Sequence, residues 1–423
     1  MKKLITIIGL FAFSCAQLFA IETSKGKITF LPVPKVSYNS DTGFEYGAML
    51  SFFFTPTDSQ TFSHSLFIDY SRSTKNNQFI RMFYESTALI PNVRTMLDIA
   101  YMHDLRYDFS GFNGYEAVYD RALDLENRAF YSYRRNNVRV RADFQGQLPV
   151  KNLYWMAGYE YLHFGISTSR LSRGTGDDQS SLYEKYIDWG LIPAANAKGG
   201  DTHSFKAGVI YDSRDMRLLP NKGIFSEAIL QVAPEFFFNK NTAYAEMALT
   251  HRQYIPLIYN RLTFAYRAAY QSTLGSAGKP FYAMPQMLGS YQTGVLMEGL
   301  GGNRSLRGVM RNRVTGDGFV IGNFELRYRV FDFKILKQNV NVIPHVFFDT
   351  GRVVKFSKIN LDAVPEAERE HFFDPGAETF HSSAGAGLRL WFNKNFVLTG
   401  DVGKALSKKD GRMGIYIGAN VLF

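Results

Sequence analysis

The chain has 423 residues, with 48 Lys and Arg against 38 Asp and Glu for a net charge of +10, and it is rich in Phe (37), Tyr (25) and Gly (36). Beyond residue 20 there is no run of about eighteen apolar residues, which excludes membrane-spanning helices. The one cysteine, Cys15, stands in a leader-like N-terminus, so the mature chain is predicted to have no disulfide, thiolate metal site or cysteine nucleophile.

Lys2 and Lys3 precede the apolar run Leu4 to Phe13, and small residues follow to Ala20. These are the charged, apolar and cleavage regions of a secretory signal peptide over residues 1–20. Ala12-Phe13-Ser14 before Cys15 fits a lipid-attachment site poorly. From there on, aromatic-rich alternating stretches bounded by Gly, Pro, Asn and Asp predict strands. They fall at 28–38, 43–54, 61–71, 77–88, 93–105, 135–148, 152–164, 202–213, 223–232, 241–253, 260–271, 318–330, 340–350, 380–391, 396–404 and 413–423. An even count is what a closed single-chain bacterial barrel requires, so residues 21–423 are predicted to form one all-β, transmembrane antiparallel barrel of about 16 strands. With both termini periplasmic, links after odd-numbered strands face outward and should be the long ones. The long links, 106–134, 165–201, 272–317 and 351–379, follow the fifth, seventh, eleventh and thirteenth strands.

Alternation orients the strands. In the last one, Met413, Ile415, Ile417, Ala419, Val421 and Phe423 are predicted to face lipid, with Gly414, Tyr416, Gly418 and Asn420 inside. In the twelfth, Val320, Phe324, Leu326, Tyr328 and Val330 face out, and Asn323, Glu325, Arg327 and Arg329 line the lumen. In the thirteenth, Asn341, His345 and Asp349 share the inner face. A charge at mid-bilayer on the lipid side costs about 2–4 kcal/mol, so Glu325 and Asp349 must point inward, where they need partners. Arg307 can supply one, because Gly301, Gly302 and Gly308 permit a tight loop tip and a guanidinium can hold two carboxylates at once. Arg327, Arg329 and Arg389 read as solvated lumen lining. Pro32 and Pro34 in the first strand, with Gly414 and Gly418 in the last, predict a poorly paired lateral seam that opens near Val33 and Ile417.

The loop G-G-N-R-S-L-R-G, Gly301 to Gly308, running into the alternating strand Val320 to Phe331, resembles the outer-membrane assembly barrels of BamA/TamA type, the bacterial surface antigen superfamily. In that family an R-G loop tip folds back into the lumen. The resemblance assigns the tip to Arg307-Gly308, the aromatic-x-Asp-x-Gly strand motif to Phe347-Phe348-Asp349-Thr350-Gly351, and the acidic strand residue to Glu325. It also covers the periplasmic turn D-S-R-D-M-R-L-L-P-N-K-G, with Asp212, Arg214, Asp215, Pro220 and Gly223, the glycines Gly385 and Gly387, and the C-terminal aromatic Phe423. Leu306 and Val309 depart from the residues usual beside R-G. The family carries periplasmic repeat domains before the barrel, and here the first strand begins near Ile28, so a variant without them is expected.

The resemblance implies the outer membrane of a Gram-negative bacterium, no enzymatic activity and no cofactor. The partners implied are outer-membrane lipids, with lipopolysaccharide phosphates suited to the positive charge, and client outer-membrane or secreted polypeptides. A second copy of the chain or a periplasmic accessory protein is a further candidate. Nucleic acid is excluded for an exported chain. The histidines show no metal-ligand spacing and no catalytic set stands out. Gly275-Ser276-Ala277-Gly278-Lys279, followed by Pro280, reads as loop flexibility and not as a phosphate loop. Three functions stay open: insertion or translocation of proteins or lipids through the seam, lipid handling without polypeptide clients, and a passive pore or structural surface antigen.

Overall fold

The computed structural model describes residues 19–59, 61–169, 180–235, 242–276, 278–289, 298–335, 338–393, 396–419 and 421–423. Residues 1–18 with Cys15, within the expected signal peptide 1–20, lie outside them, as do Ala277, the turn residues Lys394 and Asn395, and Asn420. A short strand, Phe19–Thr23, precedes the wall. The first eight wall strands are β1 Gly26–Asn39, β2 Gly43–Pro56, β3 His64–Ser73, β4 Gln78–Ile90, β5 Val93–Asp108, β6 Ser132–Gln147, β7 Leu153–Thr168 and β8 Gly199–Asp212. The second eight are β9 Gly223–Ala233, β10 Tyr244–Ile258, β11 Leu262–Leu274, β12 Gly318–Tyr328, β13 Gln338–Lys355, β14 His381–Phe392, β15 Phe396–Ala405 and β16 Met413–Gly418. Each is antiparallel to the next and β16 returns to β1, which makes a 16-strand antiparallel barrel. The expected twelfth strand ended at Val330; past a break at Arg329 and Val330, Phe331–Ile335 stays paired with β13.

The two faces of the wall have different solvents. On β5, Asp98, Ala100, Met102 and Asp104 are buried while Leu97, Ile99 and Tyr101 are exposed. The same exposed apolar row recurs at Leu230 and Val232, at Phe324 and Leu326, and at Val346 and Phe348, as lipid contact requires. Tight reversals after even-numbered strands use asparagine at positive φ, which its short polar side chain tolerates: Asn92 (+60°), Asn152 (+63°), Asn260 (+54°) and Asn393 (+47°).

The long connections, 109–131, 169–198, 275–317 and 356–380, follow β5, β7, β11 and β13. All four contribute to one buried aromatic cluster, through Phe109 and Phe112, Tyr186 and Trp189, Phe281 and Tyr282, and Phe372 and Phe373. It packs on Phe79, Met102, Tyr133 and Phe164 of β4 to β7, so the apolar core sits on the extracellular side.

Two features differ from the alternation pattern. The last strand stops at Gly418, not Phe423, because β15 pairs with it only as far as Thr399 and β1 only as far as Tyr38. Without a ladder on either side the terminus turns inward. Phe423, expected against lipid, is buried on Tyr254 and Ala265, and Arg327 Nη2 donates to its main-chain oxygen at 3.0 Å. The second is the β8–β9 turn, whose Leu219 is buried on Ile343 of β13, Trp391 of β14 and Val397 of β15. Leu219→Ala should cost about 2–5 kcal/mol, as deletion of a buried leucine side chain does. Denaturant unfolding in micelles checks the loss, and hydrogen exchange at 213–222 should rise with it.

Candidate functional site

Asp349 and Glu325 lie on adjacent strands with alternation that turns both inward, and both are fully buried. The 275–317 connection brings Arg307 to them. Arg307 Nε donates to Asp349 Oδ2 at 2.8 Å and Nη2 to Asp349 Oδ1 at 3.0 Å, a two-bond fork, while Nη1 donates to Glu325 Oε1 at 2.7 Å and to Asp401 Oδ2 of β15 at 3.1 Å. The Arg307 backbone N–H also donates to Asp349 Oδ2 at 3.1 Å. The guanidinium lies 3.6 Å from the centre of the Phe347 ring, a cation–π contact. Gly385 makes room for that ring, since a Cβ there would stand 2.8 Å from Phe347 Cε1.

Arg327 and Arg389, read from sequence as solvated lining, belong to this network. Arg327 Nε donates to Glu325 Oε2 at 2.7 Å, and Arg389 Nη2 donates to both Glu325 oxygens at 2.9 Å. Alternation could place them inside but could not show that one carboxylate collects them. Arg329 sits apart, half-buried and paired with Asp332 at 2.6 Å. Asn323 Nδ2 donates to Asp349 Oδ1 at 2.8 Å. Asp401 had no signal beyond its inward position. Lys279, placed in a flexible loop, is buried and ion-paired with Glu246 of β10 at 2.8 Å.

Glycine lets the loop tip approach the wall. Gly301 and Gly302 have φ of +121° and +78°, and Gly302 N donates to Val309 O at 2.9 Å. At Gly308, φ is +101° and a Cβ would stand 2.5 Å from the Gly403 carbonyl carbon of β15. Its N–H donates to Tyr416 Oη of β16 at 3.0 Å. Gly351 leaves Leu300 and Leu306 space against β13, and Leu306 and Val309 are buried with Val314, Phe319 and Val353.

In the β8–β9 turn, Arg214 forks onto Asp212 with two bonds of 2.8 Å, and Asp215 Oδ1 accepts from Asn221 N at 3.0 Å. Pro220 is buried beside Leu219, and Gly223 takes φ +109° where a Cβ would strike Ser213 O. This closed turn aims Leu219 across the mouth.

The seam is short. β16 pairs with β1 at Tyr416–Asn39 and Ile417–Tyr38, Ser40 N donates to Ile415 O at 3.0 Å, and Ile415 N donates to Ser40 Oγ at 3.2 Å. The expected Val33–Ile417 juxtaposition is corrected by this register, because Ile417 stands opposite Tyr38. Gly414 faces Gly403 on β15, with Tyr416 Oη in the space a side chain would need, and Gly418 lies near Ser37. Pro32 and Pro34 pair with Leu50 and Ala48 of β2, beyond the reach of β16.

The profile of the Omp85 superfamily domain matches residues 63–419. The chain belongs to the Omp85 superfamily. No curated protein matches it. Among solved structures, this Omp85 barrel is similar to BamA from Haemophilus ducreyi lacking POTRA domains 1–3, with 17% identity, a TM-score of 0.58, and coverage of 98% of this chain and 77% of that one. It is also similar to CdiB from Escherichia coli, with 11% identity, a TM-score of 0.56, and coverage of 96% and 67%. At these identities the likeness is one of fold. Membership makes the chain an outer-membrane β-barrel of a Gram-negative bacterium, in a superfamily of non-catalytic translocases and assembly factors.

Arg307→Ala strands buried carboxylates and should cost this Omp85 barrel about 3–5 kcal/mol. A double-mutant cycle with Asp349→Asn should give a coupling of about 0.5–3 kcal/mol; additive losses would show that the two side chains act independently. A second prediction concerns Asp41 in the β1–β2 turn, which is half-buried with Oδ2 lacking a hydrogen-bond partner. Burial first and Asp108 second push its carboxyl up to about 7, against the opposing charges of Arg311 and Lys75; Tyr416 also faces it. A raised acid favours the protonated form in the folded arrangement, so its stabilisation is present at low pH and lost as pH rises through about 7. Exchange at 39–42 and 301–302, corrected for intrinsic rates, should be slower at about pH 6 than at about pH 8. Asp41→Asn should flatten that difference.

Proposed function

We propose that this barrel inserts or translocates substrate, protein or lipid, at the outer membrane by opening sideways between β1 and β16. The observation that carries the reading is the two-pair seam, against pairing of β1 with β2 along all 14 of its residues. Separating β1 from β16 breaks few ladder bonds, whereas any other neighbouring strands would give up many more. In this reading the 275–317 connection folds into the lumen as a brace. Its Arg307 ties β12, β13 and β15 together, so the wall beside the seam stays rigid while the seam moves. Support for that division comes from Gly308 on Tyr416 and from Gly302 beside Asp41, contacts that reach both sides of the seam at its extracellular end. The aromatic cluster on that side favours lateral passage over an open channel. Partners on this view are outer-membrane lipids, lipopolysaccharide and client polypeptides, with a periplasmic accessory protein or a second copy of the chain supplying capture.

The test is a staple placed by the observed register. Tyr38 and Ile417 stand directly opposite on the lipid side, at a spacing of about 5.5 Å for such a pair, within the range a disulfide spans. In cells that depend on it, the oxidised Tyr38→Cys/Ile417→Cys barrel should fail to restore the outer-membrane protein and lipid composition, and reduction should restore it. Equal complementation by the locked barrel would remove lateral opening from the account.

A further inference from the structure

The seam edge of β1 has three parts. Phe19–Thr23 pairs with Gly26–Phe30 at the periplasmic end, β16 takes Tyr38 and Asn39 at the extracellular end, and residues 31–37 between them have no ladder partner on this edge among the described residues. Ser40 N donates across the seam to Ile415, and β1 runs along β2 without a register shift. Even-numbered residues of β1 therefore turn their N–H groups to the seam. In the uncovered stretch these are Pro32, Pro34 and Val36, so two of the three donors do not exist. Proline on an edge blunts it against strand addition. The gap is a poor template for an incoming β-strand and suits an occupant that needs no ladder.

Inside the barrel lies a cavity of about 1190 Å3, and the segment that leaves the wall at the gap links the two: Ala419, Val421, Leu422 and Phe423 are among the cavity's lining residues, while Gly418 lies near Ser37. Periplasmic turn residues Asn92 and Pro149 also line it, so it begins at the periplasmic end of the barrel, and it reaches Gln271 and Phe319 near the extracellular ends of β11 and β12. Six arginines line it, Arg94, Arg214, Arg217, Arg252, Arg267 and Arg304, against two side-chain carboxylates, Asp212 and Glu227. Arg94 and Arg214 are held by Glu85 and Asp212. Arg252 and Arg267 have no carboxylate within ion-pair distance among the described residues. Arg252 Nε is buried with no hydrogen-bond partner among the described residues and its guanidinium lies 5.1 Å from the Phe225 ring centre, while Arg267 donates to Asn323 Oδ1 at 2.8 Å and the Arg304 carbonyl at 3.5 Å and lies 5.9 Å from the Phe423 ring centre. Burying guanidinium groups without counter-charge is costly, and an anion in the cavity relieves it.

We propose that this cavity binds the headgroup of an anionic phospholipid from the periplasmic leaflet, with its phosphodiester on Arg252 and Arg267 and its acyl chains following the apolar segment Ala419, Val421 and Leu422 to the gap at 31–37. Pro32, Pro34 and Val36 then meet the chains, while Lys35, on the opposite face, is already paired with Glu45 at 3.1 Å and Asp69 at 3.2 Å. The proposal deepens the lateral-seam reading by naming a lipid as what the seam admits, and rests on that reading only for the route of entry.

The experiment is native mass spectrometry of the intact barrel released from neutral micelles, titrated in separate arms with phosphatidylglycerol, phosphatidylcholine and inorganic phosphate. Phosphatidylglycerol should be retained over phosphatidylcholine. Arg252→Gln should weaken retention roughly tenfold, the loss of one charge-assisted bond, and Arg252→Lys should recover part of it. A photoreactive phosphatidylglycerol should label 31–37 and 419–423, a readout that does not depend on any arginine variant folding. Equal retention of phosphatidylcholine, occupancy by inorganic phosphate without the lipid, or displacement of the lipid by an unfolded outer-membrane polypeptide would each overturn the proposal. The Tyr38→Cys/Ile417→Cys staple lies above the gap and should leave lipid retention unchanged, so failure of lateral opening and failure of the lipid site are read separately.

Discussion

Glu325 holds three guanidinium groups, those of Arg307, Arg327 and Arg389, and Arg307 in turn spans Asp349, Glu325 and Asp401. Three cations and three carboxylates balance, which is the condition for keeping them buried, because removing any one leaves a charge without water or partner. Four wall strands and one long connection supply these six residues. The position of the connection therefore follows from charge neutrality on the inner wall. The close passages at Gly308 and Gly351 and the ring of Phe347 over Gly385 are the steric terms on which that neutrality is reached.

The interior of the barrel differs between its two ends. On the extracellular side four connections pack an aromatic core and the seam is paired. A basic cavity begins at the periplasmic end, and the seam edge is open at 31–37, between the stretch covered by Phe19–Thr23 and the one paired with β16. The two halves of this pattern have one origin. The β16 segment keeps its ladder only as far as Gly418, and beyond that point its residues gain more by lining the interior, where Phe423 is buried and Arg327 donates to its main-chain oxygen, than by staying in an unpaired wall. The same departure opens the gap and supplies one side of the cavity.

Much of the wall was legible in one dimension. Alternation with period two places the strands, their even count and their inner and outer faces, because lipid on one side and a polar interior on the other impose opposite preferences on successive residues. The parity of the long connections follows from the count and holds at β5, β7, β11 and β13. That Glu325 and Asp349 turn inward is also a statement about alternation, since the lipid side is closed to them. Asparagine at the tight reversals is equally local, a matter of which side chain tolerates positive φ.

What the sequence could not decide was everything that depends on a partner far along the chain. Arg327 and Arg389 look like any inward-facing arginine until the fold places both on one carboxylate. Asp401 acquires its role only because β15 lies beside the loop tip. Lys279 sits in a stretch with the composition of a mobile loop and is held by a glutamate 33 residues earlier. Phe423 keeps the alternation of a lipid-facing residue, and turns inward because pairing with β15 and β1 runs out before it. Pro32 and Pro34 announced a weak edge; the register showed that their missing donors fall in the one stretch of β1 that no strand covers. Periodicity, turn chemistry and the sign of each face are set by neighbours within a few residues, so the sequence by itself determined them. Ion-pair partners, the extent of the seam and the location of the cavity depend on distances between residues brought together by closure of the sheet, and only the tertiary structure decides those.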